Sequence, residues 1–365
     1  MSQLQGIRVL ELSDGLVDLG GRMLAELGAT VISVSRRDTS TQARELAWGH
    51  GKHRYSWPED VSSLLPVLAG ADMFLDDRRR GPALPENLLV ENDRLIHVIA
   101  RPYSADGPRS GHVATDLTLM AQSGLMHITG DPDRPPLRFP GEQAYALTGI
   151  QVATAGLMAL HARHRTGQGQ RVDVSALQST TLANYREAIM YEWTGRIGTR
   201  TGNRLVRGKS GVRQVWPCAD GYVTWSMIDN PNMMRAVVKV LEQHNAAGEL
   251  AAVDWSAILV ADMPQDVIDH WQSILEAFFA RHPKAQLGQW SLELGWGLSV
   301  IQNLDEVRES DHLAQRGLFV PVTSDTGTTR LPGPLFGHDA GGPPPPRTLS
   351  PKATLNSFPG WEAFE

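Results

Sequence analysis

Residues 148–174 read TGIQVATAGLMALHARHRTGQGQRVDV. The apolar pattern predicts a long helix that Gly167 and Gly169 stop, followed by a short strand. A polar loop, residues 141–145 (GEQAY), feeds the helix. A buried helix introduced by such a loop can present one side chain to a ligand at its N-terminal end. That side chain is Tyr145, or Glu142 just before it.

Outward from this stretch the pattern is α/β. Residues 8–13 (RVLELS) and 30–35 (TVISVS) read as strands. Between them Met23, Leu24 and Leu27 are at helical spacing before Gly28. Strand, helix and strand in so short a span form a βαβ unit, and strands so joined are parallel. Further strand-like runs occupy 72–75 and 95–100, and Ser175–Gln178 has the form of a capping box opening a helix through Tyr185 and Met190. From Tyr191 the chain turns glycine- and arginine-rich, which reads as a linker or mobile loop. Residues 214–226 read as a hairpin with Asp220-Gly221 at its turn, and helical patterns follow at 233–241, 264–282 and 284–294. The tail from Gly337, with prolines at 343–346, is too polar and proline-rich to pack as a helix.

A chain of 365 residues is too long for one ordinary core and predicts two domains. The net charge of −6 argues against nucleic acid as a partner, since phosphate backbones need a basic footprint. Cys218 is the only cysteine, which excludes an internal disulfide and suits a reducing cytosol. The start, MSQLQGIRVLELS, lacks a basic, then apolar, signal pattern, and no apolar run approaches the roughly 18 residues of a membrane span. A cytoplasmic protein is expected.

The first strand-to-helix turn, Asp14 to Gly21, lacks the G-x-G-x-x-G spacing of a dinucleotide site. Gly208-Lys209-Ser210 imitates a P-loop, but Asn203 stands where the first glycine belongs. His161 and His164 have no acidic companions, so no metal is expected, and no G-x-S-x-G elbow is present. Arg36-Arg37 and Arg78-Arg79-Arg80 are more informative. Arginine runs are usually solvated surface, yet both lie at carboxyl ends of predicted parallel strands, where open α/β sheets bind ligands. Guanidinium groups there suit a phosphate, and Lys52 and Arg54 extend the same basic patch.

Taken together, the segments GIRVLELS, LGATVISVSRR, GHGKHRYS, ADMFLDDRRRG, NDRLIHVIA, DLTLMAQSGLMHITGDPDRPPLR and, most specifically, RTGQGQRVDVS resemble the family III CoA-transferases. That family includes formyl-CoA and carnitine CoA-transferases and the α-methylacyl-CoA racemases. The resemblance implies a Rossmann-like large domain (1–200), a smaller α/β domain with its linker (201–325) and a C-terminal segment (326–365) returning to the large domain. It also implies an interlocked-ring dimer, either a homodimer or a heterodimer with a related subunit. Coenzyme A would lie against Arg36, Lys52, Asp77, Arg78 and Arg79.

The chain departs from the family at two places. Members carry a catalytic aspartate four residues before the glycine that opens the long helix, and counting back from Gly149 gives Tyr145. The nearby carboxylate is Glu142, and the racemases' histidine before the D-L pair is replaced by Thr115, with His112 three residues early. In the family's transfer reaction a carboxylate attacks the thioester, and its own carbon then carries the CoA. Tyrosine has no acyl carbon, so Tyr145 cannot take that role, although a phenol can donate a proton. Three readings follow. One is CoA transfer between carboxylic acids, with Glu142 as nucleophile or beside an aspartate-bearing subunit. The second is an acyl-CoA hydratase, dehydratase or isomerase using Tyr145 as acid. The third is a CoA-binding partner without activity.

Overall fold

The protein is described by a computed structural model over residues 3–35, 42–79, 92–333 and 347–364. Arg36 and Arg80, with the proline run at 343–346, lie outside the described residues. The chain forms two compact units. The first comprises residues 1–127, 138–198 and 310–365, and the second comprises 128–137 and 199–309.

The first unit is built on β1 (Arg8–Ser13), α1 (Asp18–Glu26), β2 (Thr30–Ser35), α2 (Gln42–Gly49), β3 (His53–Ser56), α3 (Leu65–Ala69), β4 (Met73–Asp77), β5 (Ile96–Arg101), α4 (Asp116–Gln122), α5 (Gln143–Thr166), β6 (Arg171–Ser175), α6 (Ala176–Thr181) and α7 (Tyr185–Thr194). With a short strand at Ala353–Thr354, the strands form a seven-stranded parallel sheet. Its order is 353–354, β3, β2, β1, β4, β5, β6. That order reverses direction between β1 and β4, as in Rossmann-like folds, which bind ligands at such a switch point.

Strand alternation sends Val9, Val31, Met73, Leu75, Ile96 and Val98 toward α1, α4 and α5. Leu10, Leu12, Ile32, Val34 and Phe74 point to the other face, where Leu64, Val67, Leu355 and Trp361 cover them. Each fully buried Val or Leu contributes about 1.5–3 kcal/mol. α5 owes its close packing to small residues. A Cβ on Gly149 would lie 2.8 Å from the Leu19 Cβ and 3.0 Å from the Gly20 nitrogen, and one on Gly156 would meet the Met73 sulfur at 2.6 Å. Gly167 ends α5 in the left-handed conformation, φ 75°, its N–H donating to the Arg163 carbonyl.

Two sequence expectations need correction. The helix after Ser175 does not run unbroken to Met190, because a 3₁₀ turn at Leu182–Asn184 separates α6 from α7. The glycine-rich stretch after Tyr191 is not all loop. It completes α7 and then pairs as the hairpin β7 (Arg204–Arg207) and β8 (Ser210–Arg213). Gly208, at φ 58°, supplies the left-handed turn between those two strands.

In the second unit β9 (Val215–Cys218) and β10 (Gly221–Thr224) pair as the expected hairpin. The helices α8 (Pro231–Gln243), α9 (Gln265–Phe279) and α10 (Lys284–Leu294) and the strand β11 (Ser299–Val300) complete it. Its core is aromatic: Trp216 and Trp225 each meet Phe279 edge-on, and their indole N–H groups donate to the carbonyls of Trp225 and Trp296 at 2.7 and 3.0 Å.

Candidate active site

The switch point between β1 and β4 is organised by Asp77. Its buried carboxylate accepts the backbone N–H groups of Asp14 (3.1 Å), Leu16 (2.6 Å) and Arg79 (3.0 Å), which pins the turn after β1 to the end of β4. Burial raises the Asp77 pKa, and the carboxylates of Asp18 and Asp14 raise it further, against the opposing pull of the backbone donors.

Arg79 leaves this junction completely buried. Its Nε donates to the Asp14 carbonyl at 2.7 Å, its Nη2 to Asp14 Oδ1 at 2.8 Å and its Nη1 to the Tyr145 hydroxyl at 3.1 Å. The guanidinium carbon is 5.5 Å from the centre of the Tyr145 ring. Gly15 makes room for that ring, since a Cβ there would stand 3.1 Å from Tyr145 Cε2. The structure thus brings together Tyr145, Arg79 and Asp77 from helix, loop and strand.

Tyr145 sits in the first turn of α5, where Glu142 is the N-cap residue but makes no capping bond with its side chain. Asp116, at the start of α4, caps the helix instead. Its Oδ1 accepts the Tyr145 N–H at 3.1 Å, and the Ala144 N–H also donates to it. Partial burial raises the Asp116 pKa, against those two backbone bonds. The role of Asp116 was not read from the sequence, because a cap supplied from another helix leaves no local spacing signal. The D-L pair in the family-like segment was the one available hint.

Glu142 has a partner of its own. It forms an ion pair with Arg44, which also holds Asp18 at 2.6 Å. Lys52 is almost wholly enclosed: its ammonium donates to both Glu11 oxygens (2.8 and 2.7 Å) and to the Asp18 carbonyl (2.8 Å). These three acceptors match its three donors. Glu11, also bonded by Ser33, is pushed up by burial to about 7, although the Lys52 charge pulls the other way. Gly21 is required here, since a Cβ would lie 1.6 Å from Glu11 Oε2. A small cavity of about 60 Å³ lies beside this pair, bordered also by Ser13, Arg44 and Arg54.

A larger cleft of about 410 Å³ opens at the carboxyl ends of β4 and β5, lined by Arg78, Arg79, Arg101, Tyr103, His112 and Arg171, among others. Arg101, missed in the sequence because it closes a strand rather than an arginine run, is ion-paired with Asp173. Burial, then the charges of Arg78 and Arg171, press its pKa down, a sign of positive potential in the cleft. Such a cleft suits an anion with several phosphate oxygens. Among the described residues no group of three or more His, Cys, Asp or Glu side chains could hold a metal ion. No helix there is long and apolar enough to cross a membrane.

The chain is 28% identical over 263 residues to the succinyl-CoA:(R)-benzylsuccinate CoA-transferase subunit BbsE of Thauera aromatica, covering 64% of this chain and 63% of that one. The chain therefore spans less than two thirds of that relative's length. It is 25% identical to human alpha-methylacyl-CoA racemase over 91% of this chain and 86% of the racemase. Its fold matches a CAIB/BAIF family protein from Brucella suis with a TM-score of 0.77 at 22% identity, over 97% of each chain. The family model for CoA-transferase family III matches residues 4–352, and the chain belongs to that family.

Proposed function

We propose that this chain binds an acyl-CoA thioester at the arginine-lined cleft and takes part in CoA transfer between carboxylic acids as an aspartate-lacking subunit. One observation supports the reading: Tyr145, which the family resemblance puts at the nucleophile's position, is a buried tyrosine held by Arg79 and capped by Asp116. Glu142 does not replace it readily, because its carboxylate is neutralised in an ion pair with Arg44. The phosphates of CoA would meet Arg78 and Arg101, with Arg36 as a further expected contact, while Arg79, buried against Asp14 and Tyr145, would back the cleft. Lys52, spent on Glu11, would shape the site wall rather than touch the ligand.

The name of the Thauera relative, a subunit, supports a partner that supplies the carboxylate. So does the surface of α7 and its continuation, where Tyr185, Ile189, Tyr191, Trp193 and Ile197 are exposed, Trp193 to 86%. Apolar groups massed in this way mark an interaction surface. An interlocked dimer, with a second copy or with a related aspartate-bearing chain, would cover it. Co-expression with such a relative should restore transfer that the isolated chain lacks. Transfer at full rate by the isolated chain would overturn the subunit reading.

The second reading, a hydratase, dehydratase or isomerase, draws on the Arg79–Tyr145 bond. Because the phenol oxygen accepts from Arg79, toward a substrate the phenol acts as a proton donor. Assay of the isolated chain with 2-enoyl and 3-hydroxyacyl thioesters separates the two.

A further inference from the structure

In the second unit the hairpin β7–β8 is fastened to α9 by side chains that bond to backbone. Gln265 accepts the Gly211 N–H at 2.7 Å and donates to the Gly211 carbonyl at 3.1 Å. Gln272, buried in the same helix, accepts the Arg213 N–H at 2.5 Å. The two amides thus satisfy the outer edge of β8 in place of a further strand. Within the hairpin, Arg204 and Arg213 stand directly opposite each other. Side chains so placed share one face, with Cβ atoms about 5 Å apart, and like charges there are unfavourable.

Helix α9 draws these two guanidiniums apart. Arg204 Nη1 pairs with Asp269 at 3.0 Å, and Arg213 Nη1 pairs with Glu276. At about 1.5 Å per residue those acids lie about 10 Å apart along the helix, with Gln272 between them. A cleft of about 290 Å³ is lined by Arg204, Gln272 and Arg213, and also by Asp131, Gly202 and Asn203. The Nε and Nη2 of both arginines make no hydrogen bond among the described residues. Arg213 is further held over the Trp216 ring, its guanidinium carbon 5.1 Å from the centre. Both ion pairs are partly exposed, and such pairs add little to stability. Fastening the hairpin to α9 therefore does not account for two opposed arginines.

We propose that this cleft binds a short dicarboxylate, with one carboxylate on each guanidinium. Each arginine keeps a second edge for the ligand, and its own acid and Trp216 hold the fork in place before binding, which lowers the cost of ordering it. Asp131 forms part of the opposite wall. The Gly202 N–H donates to the Gly130 carbonyl at 3.0 Å, and a Cβ on Gly202, at φ 58°, would come within 2.9 Å of Asp131 Oδ1. Among the lining residues Asp131 is the one carboxylate against two arginines, so it opposes the anion without cancelling the pair. A single carboxylate meets only one fork at a time and binds more weakly. The site lies wholly in the second unit and does not depend on the acyl-CoA reading of the first.

The test is calorimetric titration of succinate, with acetate as the single-carboxylate comparison, into the full chain. Wild type should bind succinate at least about tenfold more tightly than acetate, the worth of one added charge-assisted contact. Arg213→Gln and Arg204→Gln should each weaken succinate by at least about tenfold. Arg204 is the more exposed of the two and serves if Arg213→Gln, which leaves the Trp216 ring, is poorly folded. Asp131→Asn should move the other way and tighten succinate, an outcome that a purely structural role for these residues does not give. Arg78→Ala, in the arginine-lined cleft of the first unit, should leave succinate affinity unchanged. Absence of succinate binding, or binding that neither arginine variant weakens, overturns the proposal. So does a loss on Arg78→Ala alone, which puts the anion in the other cleft. Weakening by Asp131→Asn together with the arginine variants also overturns it, because the residues then only hold the hairpin in place.

Discussion

Arg79 Nη1 donates to the Tyr145 hydroxyl at 3.1 Å while the same guanidinium holds Asp14 Oδ1 at 2.8 Å. A fully buried cation is thus divided between a carboxylate on the first strand's turn and a phenol on the long helix. Removing the cation strands Asp14 in a site with almost no solvent. Breaking a buried pair from one side costs about 3–5 kcal/mol. Arg79→Met should lower the denaturation midpoint by that order, whereas Tyr145→Phe should cost only about 1–3 kcal/mol. Equal, small losses in both would show that Arg79 is not the hub of this junction.

Glu11 gives the protein a distinctive pH dependence. Its folded pKa is raised from 4.5 to about 7, so the folded state holds the proton more tightly than the unfolded chain does. The resulting stability is fully present below the unfolded value and is lost as the pH rises through about 7. Urea denaturation between pH 4.5 and 8 should therefore show wild type losing stability relative to Glu11→Gln, by up to roughly 3 kcal/mol at 1.36 kcal/mol per unit. Parallel curves for the two proteins would contradict the assignment. The comparison must be of slopes, because Glu11→Gln also leaves Lys52 without its countercharge.

The contact of α1 with α5 tolerates no added carbon. Gly149→Ala would place a Cβ 2.8 Å from the Leu19 Cβ, and over-packing of this kind costs about 1–3 kcal/mol. A thermal midpoint unchanged by Gly149→Ala would mean that the two helices are not in this close register.

Asp116→Ala removes the cap of α5 and should cost about 1 kcal/mol, the usual worth of an N-cap. Asp116→Asn keeps an acceptor for the Tyr145 N–H and should recover most of that loss. Hydrogen exchange at residues 144–146 reads the effect directly, and protection unchanged in Asp116→Ala would exclude the cap.

The sheet and its long helix were legible in the sequence because their signals are local. Apolar strand runs, the interval between β1 and β2 and the glycines after Thr166 each act within a few residues. Arg78 and Arg79 were legible as arginines at the end of β4 for the same reason, since strand and run are adjacent. What was not legible depends on partners far apart in the chain. Lys52 reads in the sequence as a basic residue beside Arg54, and its bonds to Glu11 and the Asp18 carbonyl come from residues 34 or more positions away. Asp116 caps a helix that begins 27 residues later, and Arg101 depends on Asp173 across two strands. The break between α6 and α7 was missed because the apolar period carries on through the 3₁₀ turn.

On the proposed reading, an acyl-CoA site surrounds Tyr145, a side chain that cannot serve as the family's nucleophile. The most direct measurement is trapping with hydroxylamine or borohydride after incubation with a panel of acyl-CoAs, followed by mass-spectrometric mapping, on the isolated wild type and on Tyr145→Asp. The account predicts no adduct anywhere in wild type and an adduct at position 145 in the variant, because the substitution returns a carboxyl carbon to the capped first turn of α5. An adduct on Glu142 of wild type, or none in a folded, CoA-binding Tyr145→Asp protein, would contradict it.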